Sequence, residues 1–166
     1  MKIVAIYFDY FPKSLQARLK ENKIEADFLK NEDISKLKYI PDIIILSGSS
    51  KRILKNHNFS EIHDLIMNKN IIVIGICFGF HLVAFLNNGK IIECPLHKKN
   101  EKISENLTLY YNHKDRVIRL PKNWKILDEF ENFINIATYE NMIGYQFHPE
   151  KHRKSFDIFL LPFLNS

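Results

Sequence analysis

The feature that most restricts the fold is a series of short apolar runs in the first half of the chain, each separated from the next by amphipathic or polar sequence. Ile3 to Phe8, Ile24 to Phe28, Ile43 to Leu46 and Ile71 to Ile74 carry β-branched residues, as strands buried on both faces do. Between the first two, Pro12 suits the first turn of a helix in which Leu15, Arg18 and Leu19 recur at helical spacing. Ser60 can cap a second helix bearing Ile62, Leu65 and Ile66, which Asn68-Lys69-Asn70 would end. Phe78 to Leu86 reads as a third, stopped at Asn87-Asn88-Gly89 by residues suited to a left-handed C-terminal cap. Strands alternating with helices predict an α/β fold with a parallel sheet and right-handed crossovers.

After Gly89 the pattern changes. Leu107 to Tyr111, Val117 to Leu120, Ile126 to Phe130, Ile134 to Tyr139 and Ile143 to Phe147 are short strand candidates without room for crossover helices. Antiparallel pairing is therefore expected in this C-terminal β portion, with Ser155 to Leu164 as a closing helix. No repeat, linker or low-complexity tract divides the 166 residues, so residues 1–166 read as one domain.

Several function classes are disfavoured. No apolar stretch approaches the roughly 20 residues a membrane-spanning helix needs, and the N-terminus reads as a strand rather than a signal peptide. Both points predict a cytoplasmic protein without a membrane partner. Cys77 and Cys94 are the only cysteines, too few for a disulfide framework. The net charge of +5 raises the question of nucleic acid. The basic residues are scattered among acids, however, and the densest run, Lys98-Lys99-Asn100-Glu101-Lys102, reads as a solvated loop. No nucleic-acid partner is expected.

Two segments point to chemistry. In Gly75-Ile76-Cys77-Phe78-Gly79 a buried strand runs into Cys77 and a helix leaves it. That is the arrangement of a nucleophile elbow, where flanking glycines leave room for one strained, presented side chain. A helix N-terminus at the sulfur favours the thiolate. By itself the segment also fits an inert buried cysteine. The second segment, Gln146-Phe147-His148-Pro149-Glu150, ends a strand with a histidine and a carboxylate two residues apart. A cysteine nucleophile needs such a base, and the base benefits from a carboxylate that orients it. The remaining histidines (His57, His63, His97 and His152) and Cys94 show no metal-ligand spacing and read as surface or packing residues.

Together these segments resemble the class I glutamine amidotransferases, whose pattern is Gly-x-Cys-x-Gly-x-Gln followed later by Gln-Phe-His-Pro-Glu. Asp42 to Ser50 is similar to that family's strand and glycine-rich oxyanion loop, and Asn112-His113-Lys114-Asp115-Arg116-Val117 with Leu120-Pro121 to its Ser-His-x-Asp-x-Val…Leu-Pro segment. Within the family, Phe78 and the Asp115 to Pro121 segment look closest to the amidotransferase part of GMP synthetase. The resemblance implies a flavodoxin-like, mostly parallel sheet with flanking helices, and a Cys77-His148-Glu150 triad. It also implies oxyanion donors among Phe78, Gly48 and Ser49, and a glutamine site that includes His81, Asn112 and His113. It implies no cofactor and no metal. Its activity would be glutamine hydrolysis through a thioester, with ammonia passed to a synthetase subunit. A partner-independent γ-glutamyl hydrolase and a catalytically silent flavodoxin-like regulatory or binding module are the alternatives.

Three positions depart from the family pattern: His81 replaces a Gln, Ser49 a Gly and Asn112 a Ser. A Ser49 forced to positive φ would be strained. An imidazole at His81 that titrates near its usual value predicts weak glutamine binding below about pH 6.5.

Overall fold

The computed structural model describes residues 1–55 and 59–165; His57 lies outside the described residues. Its core is a sheet of seven strands: β1 (Ile3–Tyr7), β2 (Asp27–Lys30), β3 (Ile43–Leu46), β4 (Ile72–Ile76), β7 (Lys125–Phe130), β8 (Phe133–Tyr139) and β9 (Met142–Tyr145). They lie in the order β2-β1-β3-β4-β9-β8-β7. The first five positions in that order are joined by parallel pairing. β8 and β7 complete one edge antiparallel.

The four apolar runs of the first half therefore do form the parallel strands, with the second displaced to Asp27–Lys30. That shift places β2 at the sheet edge, where its residues are exposed or only half-buried and no continuous apolar run marks its ends. The strands are buried on both faces because helices cover both. Val4, Ile6, Ile44, Leu46 and Val73 point to one side, beneath α2 (Ser60–Ile66) and α3 (Phe78–Leu86). Ile3, Ala5, Ile43, Ile45, Ile74 and Ile76 point to the other, beneath α1 (Lys13–Glu21), α4 (Arg153–Phe159) and α5 (Leu161–Leu164). Among the described residues no helix is long and apolar enough to cross a membrane.

Several expectations for the chain after Gly89 need correction. β5 (Lys90–Ser104) and β6 (Leu107–Arg119) form a long two-stranded antiparallel ribbon. The basic run Lys98 to Lys102 thus lies in a strand rather than a loop. Most of β5 is exposed, so its sequence lacks the apolar alternation that marks a half-buried strand. β6 joins what read as two separate strands. β9, expected to pair only antiparallel, also pairs parallel with β4. The closing helix is two: Pro162 has no amide hydrogen to donate to Ile158, and the chain breaks at Leu160. At α2 the N-cap is Phe59, with Ser60 the first helical residue. At the end of α3 it is Asn88, φ 62°, that takes the left-handed conformation.

α3 lies unusually close to the sheet. A Cβ at Gly79 would stand 2.2 Å from the Leu46 carbonyl oxygen, and one at Gly144 only 1.9 Å from Cδ2 of Phe80. Neither obstacle can move cheaply, since one is backbone and the other a fully buried ring. Gly144→Ala should therefore lower unfolding free energy by about 1–3 kcal/mol, the usual cost of overpacking a core. Urea denaturation of the two proteins measures it, and an unchanged midpoint would contradict this packing.

Candidate active site

The parallel strands β1, β3, β4 and β9 end on one side of the sheet, where ligands of open α/β sheets usually bind. Their carboxyl ends deliver Tyr10, Gly48 and Ser49, Cys77, and His148 respectively. Cys77 is the residue between β4 and α3, with φ 51° and ψ −104°. A non-glycine residue in so sparsely populated a conformation costs about 1–3 kcal/mol and needs support from its surroundings. Here its amide donates to the Tyr145 carbonyl at 2.7 Å, and its carbonyl accepts from the His81 amide at 3.0 Å. The sulfur is nearly buried and lies 3.6 Å from the Asn112 carbonyl. The Phe78 amide opens α3 and so has no acceptor within the helix.

His148 follows β9, and its amide donates to the Tyr110 carbonyl at 2.8 Å. Its Nδ1 is 2.8 Å from Oε1 of Glu150, and both side chains are buried. Pro149 opens a short 3-10 turn that brings Glu150 back toward the ring. Burial alone would lower the pKa of His148. The Glu150 carboxylate and the Cys77 side chain, which hydrogen-bonds the imidazole, outweigh it and hold the pKa well above the usual histidine range. The other carboxylate oxygen, Oε2, is buried with no hydrogen-bond partner among the described residues. Gly48 lies against this ring: a Cβ there would be 2.6 Å from Cε1 of His148. Ser49 does not adopt positive φ, so the anticipated strain is absent. Its hydroxyl instead donates to Asp9 Oδ1 at 2.8 Å.

Cys77, Phe78, Ser49, His81, Asn112, His113 and His148 all line one cavity of about 370 Å³. Gly48 and Glu150 lie behind it, on a second cavity of about 230 Å³ that shares His148. All nine residues singled out in the sequence therefore converge on one region. Tyr10, Arg52, Tyr110 and Lys151 also line the larger cavity but were not singled out. A signal existed for Tyr10, which follows the first strand of a parallel sheet. Arg52 had none, because its partner is distant in sequence. Of the other histidines, His97 stacks on His113 with ring centroids 5.0 Å apart. Cys94 lies 4.0 Å from His113 Nδ1.

His81 differs from the sequence expectation. It is buried, and the Gln146 carboxamide faces its Nε2, with the oxygen at 3.1 Å and the nitrogen at 2.9 Å. Depending on tautomer, the ring donates to that oxygen or accepts from that nitrogen. Burial, only partly offset by the Gln146 bond, pushes the pKa down to about 4. Burial and the neighbouring His81 and His97 likewise push His113 down to about 3. A change in glutamine binding near pH 6.5 is therefore not expected from His81.

The depressed value bears on stability instead. Below about pH 6.5 the unfolded chain protonates His81 while the folded chain resists. The stability that a neutral His81 contributes is thus fully present above pH 6.5 and is lost as pH falls toward about 4. His148, with its raised pKa, titrates in the opposite sense. The difference between wild type and His81→Gln isolates the His81 effect. Denaturation at successive pH values should show wild type losing stability relative to the variant from pH 6.5 down to 4. Parallel curves would show that His81 is not held neutral.

Comparison with known proteins agrees with this geometry. Residues 5–163 match the model of the family described as "Glutamine amidotransferase class-I". The separate glutamine-hydrolysing subunit of the GMP synthase of Methanosphaera stadtmanae is 32% identical, over 90% of this chain and 89% of that protein. The GMP synthase of Petrotoga mobilis is 28% identical over 96% of this chain, but the match covers 34% of its length. The chain thus spans about a third of the full-length GMP synthases it matches. Among solved structures, one described as a GMP synthase subunit from Thermoplasma acidophilum superposes with a TM-score of 0.80 at 21% identity, covering 96% of this chain and 90% of that one. A glutamine amidotransferase from Thermotoga maritima superposes with a TM-score of 0.70 at 17% identity, covering 98% and 83%. These two likenesses concern the fold alone. With the family match covering nearly all of its length, the chain belongs to the class I glutamine amidotransferases.

Proposed function

We propose that the chain is a cytoplasmic glutaminase that feeds ammonia to a synthetase of the GMP synthetase type. The observation that carries this reading is the strained Cys77 facing one cavity with His148, whose other nitrogen is held by Glu150. Cys77 Sγ attacks the side-chain carbonyl carbon of glutamine as the thiol proton passes to His148. The negative charge that develops on oxygen is met by the Phe78 amide and an amide of Gly48 or Ser49. His148 then gives its proton to the departing nitrogen, and ammonia leaves behind a γ-glutamyl thioester. Water, deprotonated by His148, attacks the thioester and releases glutamate and the thiol. Glu150 fixes the ring so that Nε2 serves the sulfur. Asn112 and His113 form the substrate side of the cavity with His81. Among these, His81 acts through its contact with Gln146 as a rigid wall rather than a titrating ligand.

The partner is assigned by kinship to GMP synthases, one of which has its glutamine-hydrolysing part as a separate protein close to this chain in length. Glutamate release from L-glutamine, measured with and without the synthetase subunit of a GMP synthase, tests both parts of the reading. Stimulation by that subunit is expected. Faster hydrolysis of other γ-glutamyl amides, indifferent to the synthetase, would favour a γ-glutamyl hydrolase.

Two variants probe the machinery. His148→Ala should reduce glutamine hydrolysis by about 10²–10⁴-fold, the usual worth of a general acid–base. Glu150→Gln should cost less, because the imidazole remains in place; negligible losses in both would remove the pair from catalysis. A glutamine-mimicking chloroketone should alkylate Cys77 before Cys94, although Cys94 is the more exposed of the two. Peptide mapping that finds Cys94 labelled first would overturn the assignment of the nucleophile.

A further inference from the structure

The wall of the Cys77 cavity is electrostatically lopsided. Lys51, Arg52, Lys114 and Lys151 contribute four cations, and Asp115 the single carboxylate. Lys114 and Lys151 are exposed, and Lys151 Nζ already donates to Ser14 Oγ at 3.0 Å. Arg52 differs from these in being held by a buried partner. Its Nε and Nη2 donate to Asp115 Oδ1 at 2.9 and 2.6 Å, and Nη2 donates to the Lys114 carbonyl at 2.9 Å. Glu93 Oε1 stands 3.4 Å from Nη2. The Asp115 side chain is 2% exposed and that of Arg52 20%. Arg52 Nη1 makes no hydrogen bond among the described residues.

The guanidinium is thus a fixed fork with one edge occupied and one edge free. Arg52 and Asp115 both lie within electrostatic reach of His81, one helical turn from Cys77. That separation matches the short methylene chain between the amide of glutamine and its α-carbon. Resting on the glutaminase reading, we propose that Arg52 binds the α-carboxylate of the substrate through its free edge and that Asp115 is the positioning residue that aims it. A carboxylate is the ligand a planar guanidinium recognises best, and a preoriented Arg loses little side-chain entropy on binding it. A compound that carries the amide but lacks the α-carboxylate should therefore be a poor occupant of this site.

Protection of Cys77 from iodoacetamide measures occupancy without requiring turnover. The probes are L-glutamine, glutaramate, which lacks the α-amino group, and 4-aminobutanamide, which lacks the α-carboxylate. In wild type, glutamine should protect at a concentration about ten-fold or more below that of 4-aminobutanamide, as expected for one charge-assisted contact. Arg52→Gln should weaken glutamine and glutaramate by a similar factor and leave 4-aminobutanamide unchanged. Arg52→Lys, which keeps a cation beside Asp115, should recover part of the loss for the two carboxylates alone. Equal weakening of all three compounds would show that Arg52 acts only on the cavity's structure and would overturn the proposal. So would equal protection of wild type by glutamine and 4-aminobutanamide, or no protection by any probe. Protection in this pattern without glutamine hydrolysis would instead sink the glutaminase reading and leave the carboxylate site standing.

Discussion

The structure depends on the close approach of α3 to the sheet at the Cys77 turn. A strand that ends in a residue at φ 51° and passes at once into a helix must turn sharply. The turn is possible only because no side chain separates α3 from β3 and β9. The Leu46 carbonyl lies where a Cβ of Gly79 would be, and the Phe80 ring fills the space over Gly144. The strain at Cys77 is held by the bonds its amide and carbonyl make to β9 and α3. It orients a sulfur that would otherwise be one more buried side chain in a hydrophobic core.

Parallel pairing of β4 with β9 supplies the second half of the site. Ile76 is registered with Tyr145, so the residues that follow the two strands, Cys77 and Gln146 to His148, emerge together. A register slip of one residue would turn the side chains of β9 to the opposite face. The histidine would then no longer accompany the cysteine. The same register sets Gln146 against His81, which gives the buried imidazole a neutral partner. Its neighbours His113 and Arg52 carry or could carry positive charge, and burial disfavours another.

The site thus separates its histidines by environment. His148 has a buried carboxylate at one nitrogen and the nucleophile near the other, and both favour the proton. His81 and His113 are buried without a carboxylate partner, and both stay neutral at physiological pH. Asp115 is spoken for by Arg52 and so does not serve either ring as a hydrogen-bond acceptor through its side chain. One imidazole is left to move protons while the others shape the wall.

Much of this was legible in the sequence. The apolar runs marked the parallel strands, α3 spans the anticipated Phe78 to Leu86, and the nine singled-out residues meet at one end of the sheet. Those signals were local: burial on both faces leaves an apolar run, and a tight turn leaves glycines beside Cys77. The β5–β6 ribbon was not legible, because strands held by each other and open to water carry no apolar period. Nor was the parallel partner of β9, since pairing direction follows from where a strand is inserted in the sheet. Only the tertiary structure decided that His81 is a neutral wall residue facing Gln146, 65 positions away, and that Arg52 is held by Asp115, 63 positions away. A residue type fixes which charges and hydrogen bonds are available. Which of them are taken up depends on burial and on partners that folding brings from distant parts of the chain.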